Sequence, residues 1–219
     1  MHRPISSEPA SPLASALPRA QALLAAALSQ QQRKILGIAA APGAGKSTLA
    51  AALQQALGER VLVVPMDGYH LANSELQRLG RSQRKGAADT FDAHGYANLL
   101  ERIRTPQADE LVYAPDFRRE LEEGIAGAIP VHPHIALVIT EGNYLLRQEP
   151  AWQRARAAMD TVWYLDVEDT LRRQRLLARH MRYGRTEADA LAWMAQSDEP
   201  NAVQIAQTRV FADWVLHER

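Results

Sequence analysis

Apolar residues fall along this chain in two rhythms. Short, nearly unbroken runs occupy residues 34–39, 61–66, 135–140 and 161–167. They read as strands, and the β-branched run Val61-Leu-Val-Val-Pro-Met66 has the look of a strand buried on both faces of a parallel sheet. Between them the apolar residues return every three or four positions. Leu17, Leu24 and Leu28 predict a helix over 13–32, and Leu49, Leu53 and Leu57 predict one over 47–57 that Gly58 ends. Tyr96, Leu99, Leu100 and Ile103 predict a third, N-capped by Asp92 and stopped before Thr105-Pro106. Further helices are expected over 168–183, 187–196, with Leu191 and Trp193 as packing residues, and 201–209; a short strand over 213–216 closes the pattern. Strands alternating with helices predict an α/β domain: a parallel sheet of about five strands with helices on both faces.

Three stretches depart from this rhythm. Residues 1–12, with Pro4, Pro9, Pro12 and three serines, are too polar to offset the entropy of ordering and are expected to form a disordered tail before a domain over 13–219. Residues 71–90 read as a loop with a short helix at its start. A short strand at 110–113, a turn or loop at 114–119 and a Gly- and Pro-punctuated edge strand at 125–131 suggest a small flap.

Composition narrows the function classes. The 219 residues, 47% hydrophobic, suffice for one substantial core. Twenty-five basic and 25 acidic side chains balance, which argues against nucleic acid or a membrane surface as partner and for a small molecule. Without cysteine there is no disulfide, Cys-ligated zinc or thiol nucleophile. No apolar run is long enough to span a bilayer, and the patch at 23–28 is too short for a signal peptide, so a cytoplasmic protein is expected, with monomer and homodimer both open.

Candidate chemistry begins where the first strand run ends. Ala40-Ala-Pro-Gly-Ala-Gly-Lys-Ser47 fits a phosphate-binding loop, in which backbone N–H groups wrap a phosphate, the Lys reaches the β- and γ-phosphates and the Ser binds Mg²⁺. Pro42, Gly43, Ala44, Gly45, Lys46, Ser47 and Thr48 are the residues this assigns to nucleotide. Mere tight packing of a strand-to-helix turn would not require Lys46 and Ser47. Ala40 stands where the stricter pattern has Gly, so its backbone must keep to a conformation a Cβ tolerates. Asp67 ends the second strand run at the sheet edge that carries the loop; it could take a proton from an attacking hydroxyl, or cap the next helix. Glu141 ends another run, where a carboxylate serves as a second Mg²⁺ anchor or is simply a charged strand end. Arg78, Arg81, Arg84 and Lys85 could face a substrate or water. Arg172, Arg175, Arg179 and Arg182 share one helical face, either solvated or a lid over transferring phosphates.

These pieces together resemble the phosphoribulokinase and uridine kinase family of phosphate-loop kinases, which includes type I pantothenate kinases, and within it the bacterial fructose-transport or nucleoside/nucleotide kinase-like branch. The resemblance spans residues 35–216. It rests on the loop through Thr48, Pro65-Met-Asp-Gly-Tyr-His-Leu71, Arg84-Lys-Gly86 followed by Thr90-Phe-Asp92, and Glu141-Gly-Asn-Tyr-Leu145. It implies the three-layer phosphate-loop fold, ATP and Mg²⁺ as cofactors, Asp67 as general base, Ser47 and Glu141 at the metal, and lid arginines at the ATP phosphates, matched here by the Arg-x-x-Arg-x-Gly-Arg order of Arg179, Arg182 and Arg185. Tyr69, His70, Arg84, Lys85, Tyr113, Asp116, Arg118, Asn143 and Tyr144 would lie on the acceptor side, and Asp213 near adenine. The expected activity is transfer of the ATP γ-phosphate to a hydroxyl of a sugar, pantothenate-like alcohol or nucleoside. A nucleotide-hydrolysing switch or a non-catalytic ATP-binding module is the alternative, although no Asn-Lys-x-Asp guanine-reading tetrapeptide is present.

Overall fold

The apolar runs assemble side by side. In the computed structural model, which describes residues 11–107 and 109–218, five parallel strands form one sheet in the order β2-β5-β1-β6-β7: β1 (Lys34–Ala39), β2 (Val61–Val63), β5 (Leu137–Gly142), β6 (Thr161–Val167) and β7 (Trp214–Glu218). β1 lies at the centre. Helices α1 (Pro12–Gln30) and α2 (Lys46–Leu57) cover one face with Ala16, Ala20, Leu49 and Leu53. On the other face α4 (Ala93–Arg104) and α5 (Pro150–Ala157) pack Tyr96, Leu100, Ile103 and Trp152. The expected three-layer arrangement is therefore present.

β1 and β6 keep the boundaries expected of them, and Asp92 caps α4 by accepting the Gly95 N–H at 2.8 Å. Elsewhere the structure revises the expectation. The run at 61–66 pairs only as far as Val63: it is an edge strand, Leu62 and Val63 are half-buried, and residues 66–69 close into a 3₁₀ turn after Pro65. Residues 114–119 are largely strand rather than loop. β3 (Val112–Arg118) pairs antiparallel with β4 (Glu123–Val131), the register shifting between Ala114 and Asp116 around Pro115. Ser11 and Pro12, expected in the tail, instead begin α1: the Ser11 hydroxyl accepts the Ala14 N–H and Pro12 needs no hydrogen-bond acceptor at the first turn. The rest of the expected tail, residues 1–10, lies outside the described residues.

Two further corrections concern the C-terminal third. Leu191 is exposed and Trp193 half-buried; the buried residues are Ala190 in α7 (Glu187–Trp193) and Met194 just beyond it. The five residues Met194–Asp198 then form a wider π-helical turn leading into α8 (Glu199–Gln207). Asp213 stands at the start of β7, where it accepts the Val162 N–H and pairs with Arg156, each at 2.6 Å. Because β7 runs parallel to β6 and β1, that is the sheet edge opposite the phosphate loop, and Asp213 there ties β7 to β6.

Candidate active site

β1 stops at Ala39 and the chain turns sharply before α2 begins at Lys46. The turn is possible because Gly43 (φ 85°) and Gly45 (φ 88°) take the left-handed conformation. A Cβ on Gly43 would lie 2.5 Å from the Arg172 carbonyl oxygen, so this glycine also lets the loop close against α6 (Asp169–Arg182). Ala40 is buried and has no positive φ, which is why a Cβ is tolerated there. The unpaired N–H groups at the start of α2 and its dipole make the loop an anion site.

The register of the central strands sets the next residues. Glu141 pairs with Ile38 across β5 and β1, so its carboxylate emerges beside the loop. The Ser47 hydroxyl donates to Glu141 Oε1 at 2.7 Å, and Lys46 Nζ lies 4.0 Å from Oε2. Glu141 is 3% exposed, and its Oε2 has no hydrogen-bond partner. Burial pushes its pKa up, against the pull of Lys46. A buried, unpartnered carboxylate oxygen next to a serine hydroxyl, beside an anion-binding loop, fits a hard divalent cation such as Mg²⁺.

Asp67 projects from the 3₁₀ turn after β2. Burial alone would raise its pKa, but the positive charges of His70, Lys46, Arg119 and Arg179 outweigh it and hold the carboxyl below the usual range. Arg119 Nη2 stands 3.8 Å away. The flap closes on this turn through Gly68, where a Cβ would meet the Pro115 carbonyl at 2.5 Å. His70 Nδ1 donates to the Asp67 carbonyl at 2.7 Å, its ring packed between Phe91 and Phe117, and burial lowers its pKa.

Beside Asp67 opens a cavity of about 440 Å³, walled by the loop carrying Lys85, by the flap through Phe117 and Arg119, by Arg179 near the end of α6 with Tyr183 and Arg185 just beyond it, and by Trp193 at the end of α7. Of the residues expected on the acceptor side, Asp67, His70 and Lys85 line it. Tyr144 supports it from below, its hydroxyl donating to the Gly86 carbonyl at 2.6 Å. Asn143 follows in the same segment with its Oδ1 buried and unpartnered. The others point elsewhere. Arg84 pairs with Asp89; Asp116 and Arg118 pair with each other at 3.2 Å; Tyr113 is exposed; and Tyr69 packs edge-on against Tyr96, burial pushing its phenol up to about 12.

The arginine face of α6 divides. Arg172 is buried, bonded to the Pro42 carbonyl, Asp169 and Glu199; Arg175 pairs with Glu218 at 2.7 Å; Arg182 is exposed and outside the cavity wall. Only Arg179 faces the cavity beside Asp67, and burial is the main cause lowering its pKa. Sequence reasoning missed Arg119, Tyr183 and Trp193 as cavity residues, and Arg185, expected with the lid arginines, does line the cavity. For Arg119 the signal was the doublet Arg118-Arg119 where the strand ends: Arg118, the last residue of β3, pairs with Asp116, whereas Arg119, the first residue of the turn, reaches Asp67. A second pocket, of about 280 Å³, lies beside Gly45 and Thr48, between Leu13, Leu165 and the Arg175–Glu218 pair.

A parallel sheet of order 2-5-1-6-7, a phosphate loop at its centre and an arginine helix facing a carboxylate across a cavity define a phosphate-loop kinase. No protein-family model matches the sequence. The chain is, however, 36% identical over 202 residues to "Putative uridine kinase C227.14" of Schizosaccharomyces pombe, covering 87% of this chain and 86% of that protein. It is 31% identical over 153 residues to the ATP-dependent kinase-like protein notR' of Aspergillus versicolor, covering 66% of this chain and 89% of the relative. Among solved structures, the "putative fructose transport system kinase" of Silicibacter sp. TM1040 superposes with a TM-score of 0.75 at 36% identity, over 88% of this chain and 98% of that one. The chain belongs to the phosphoribulokinase and uridine kinase family and is a small-molecule kinase, a phosphotransferase with an alcohol group as acceptor.

Proposed function

We propose that the protein transfers the γ-phosphate of ATP to a hydroxyl of a small metabolite, with Asp67 as general base. The observation that carries this is the placement of Asp67 between the phosphate loop and the 440 Å³ cavity, within the field of Lys46, Arg119 and Arg179. Loop residues 42–48 bind the ATP phosphates, and the pocket beside Gly45 and Thr48 takes the base. Ser47 and Glu141 would hold Mg²⁺, which when bound supplies charge neutralisation at the β- and γ-phosphates. Lys46 and Arg179 offset charge on the transferring phosphoryl group. Asp67, ionised at neutral pH, orients the acceptor hydroxyl and accepts its proton as the new O–P bond forms and the bond to ADP breaks, a late transfer suited to a loose transition state.

The test is acceptor-dependent ADP release with mass-spectrometric detection of a phosphorylated product. Asp67→Asn lowers that rate by roughly 10²–10⁴-fold, the usual range for a general base. Full activity in the variant would overturn the assignment. ATP hydrolysis with no acceptor effect across a broad metabolite screen, accompanied by nucleotide-dependent partner binding, would point to a switch instead.

A further inference from the structure

The cavity beside Asp67 carries more positive charge than its own carboxylates neutralise. Lys85, Arg119, Arg179 and Arg185 line it, against Asp67, Glu122 and Asp198. Asp198 is engaged by His180 at 2.8 Å, and Glu122 is exposed. Lys85 Nζ instead bonds two uncharged oxygens, Asn73 Oδ1 at 2.6 Å and the Glu122 backbone carbonyl. Arg185 lies over the Trp193 ring at 4.2 Å and has no carboxylate within ion-pair distance among the described residues. Among the described residues the one carboxylate Arg119 reaches is Asp67, at 3.8 Å. On the outer surface, by contrast, Arg78, Arg102, Arg147 and Arg154 each hold a glutamate directly. The reading above assigns Lys46 and Arg179 to ATP and leaves without a role Lys85, in the loop after α3 (Asn73–Arg78), and Arg185, grouped with the lid arginines by resemblance but set on the Trp193 wall beyond α6. Unpaired cations around one concavity repel each other and attract a counter-ion.

The aromatic walls support the same conclusion. Lys85 stands 5.4 Å over Phe117, Arg119 5.9 Å over Phe117 and 5.8 Å over Tyr183, and Arg185 covers Trp193. Cations already occupy ring faces that a nucleobase would need for stacking. We infer that the phosphate acceptor is itself an anion, a small hydroxy compound bearing a carboxylate or a phosphate, with Lys85, Arg119 and Arg185 holding the anionic group while the hydroxyl meets Asp67. This rests on the phosphotransferase reading above and adds the acceptor's charge to it.

The test has two arms. In the first, full-length protein with MgATP is offered glycerate and gluconate as carboxylates, ribose 5-phosphate and fructose 6-phosphate as phosphates, and glycerol, ribose, fructose and uridine as uncharged counterparts. The expected result is kcat/KM at least tenfold higher for an anionic acceptor than for its uncharged counterpart; the preferred set separates carboxylate from phosphate. Lys85→Gln and Arg185→Gln each raise the KM for that acceptor tenfold or more with a smaller change in kcat. In the second arm, protein saturated with a non-hydrolysable ATP analogue is titrated with malonate and with inorganic phosphate. At least one of these anions raises the melting midpoint of the native protein, and the Lys85→Gln/Arg185→Gln variant, shown folded by circular dichroism, loses the response. Preference for an uncharged acceptor, or no anion effect on the nucleotide-loaded protein, overturns the inference while leaving kinase activity standing. Anion binding with no phosphoryl transfer to any acceptor would count against the kinase reading and leave the anion site in place.

Discussion

Arg172 gives the sharpest separation between a lid arginine and a structural one. Its side chain is 5% exposed, and it donates to Asp169 at 2.8 Å, the Pro42 carbonyl at 3.1 Å and Glu199 at 2.8 Å, joining α6, the phosphate loop and α8. Arg172→Met removes these bonds, leaves the Pro42 oxygen without this donor and leaves the Glu199 carboxylate with the longer contact to Arg173 at 3.6 Å. Breaking a buried pair costs about 3–5 kcal/mol, and since Glu199 keeps some access to water the lower end, about 3 kcal/mol, applies. For a domain of this size that is a fall in melting midpoint of about 6–12 °C. Calorimetry or circular dichroism reads it directly. Replacing both Arg172 and Glu199 by Met should recover part of the loss, because a buried ion pair exchanged for apolar groups is often near neutral. A variant melting within about 2 °C of the native protein, yet with phosphoryl transfer reduced a hundredfold, would refute the structural role and return Arg172 to the lid.

Two other predictions concern stability. His70 has its pKa lowered mainly by burial, so between that value and the ordinary 6.5 the unfolded chain binds a proton that the native state does not. Stability therefore falls as pH drops below about 6.5, with a slope of at most about 1.4 kcal/mol per pH unit from this one group, and His70→Asn flattens it; urea midpoints between pH 7.5 and 5 that show the same slope in both proteins would contradict this. In the core, the Tyr96 hydroxyl donates to Thr140 Oγ1 and Thr140 donates to the Val64 carbonyl, each at 2.7 Å and buried. Thr140→Val orphans both ends and should cost about 2–3 kcal/mol in urea unfolding, more than Tyr96→Phe, which leaves the Thr140–Val64 bond intact.

The fold was legible where a local rule and the tertiary context agree. β1 and β6 are apolar throughout and internal to the sheet, so their boundaries follow from the runs themselves. The run at 61–66 looked equally internal, but having a neighbour on one side only, and Pro65 in its path, shortened it to three residues. Residues 114–118 have no apolar alternation, and it is pairing with β4 that makes them strand. The same division holds at the site. The glycines and Lys46-Ser47 are contiguous, and Glu141 and Asp67 end apolar runs, so all were visible as candidates. The arginine stripe was visible too, but its meaning was not. Arg172 and Arg175 find Glu199 and Glu218, 27 and 43 residues further along the chain.

What the sequence determined by itself was a phosphate-binding loop on an alternating α/β frame, with carboxylates at the ends of neighbouring strands. These depend on short-range physics: φ angles only glycine adopts readily, helix and strand periodicity, and the chemistry of single side chains. Which cations are left without a partner around Asp67 was decided only by the tertiary structure. A charge is spent or free according to what folds against it, and those neighbours come from the flap, the loop after α3 and the far end of α6. The motif thus marks where the phosphates bind, while long-range packing settles which charges remain for the molecule that receives one.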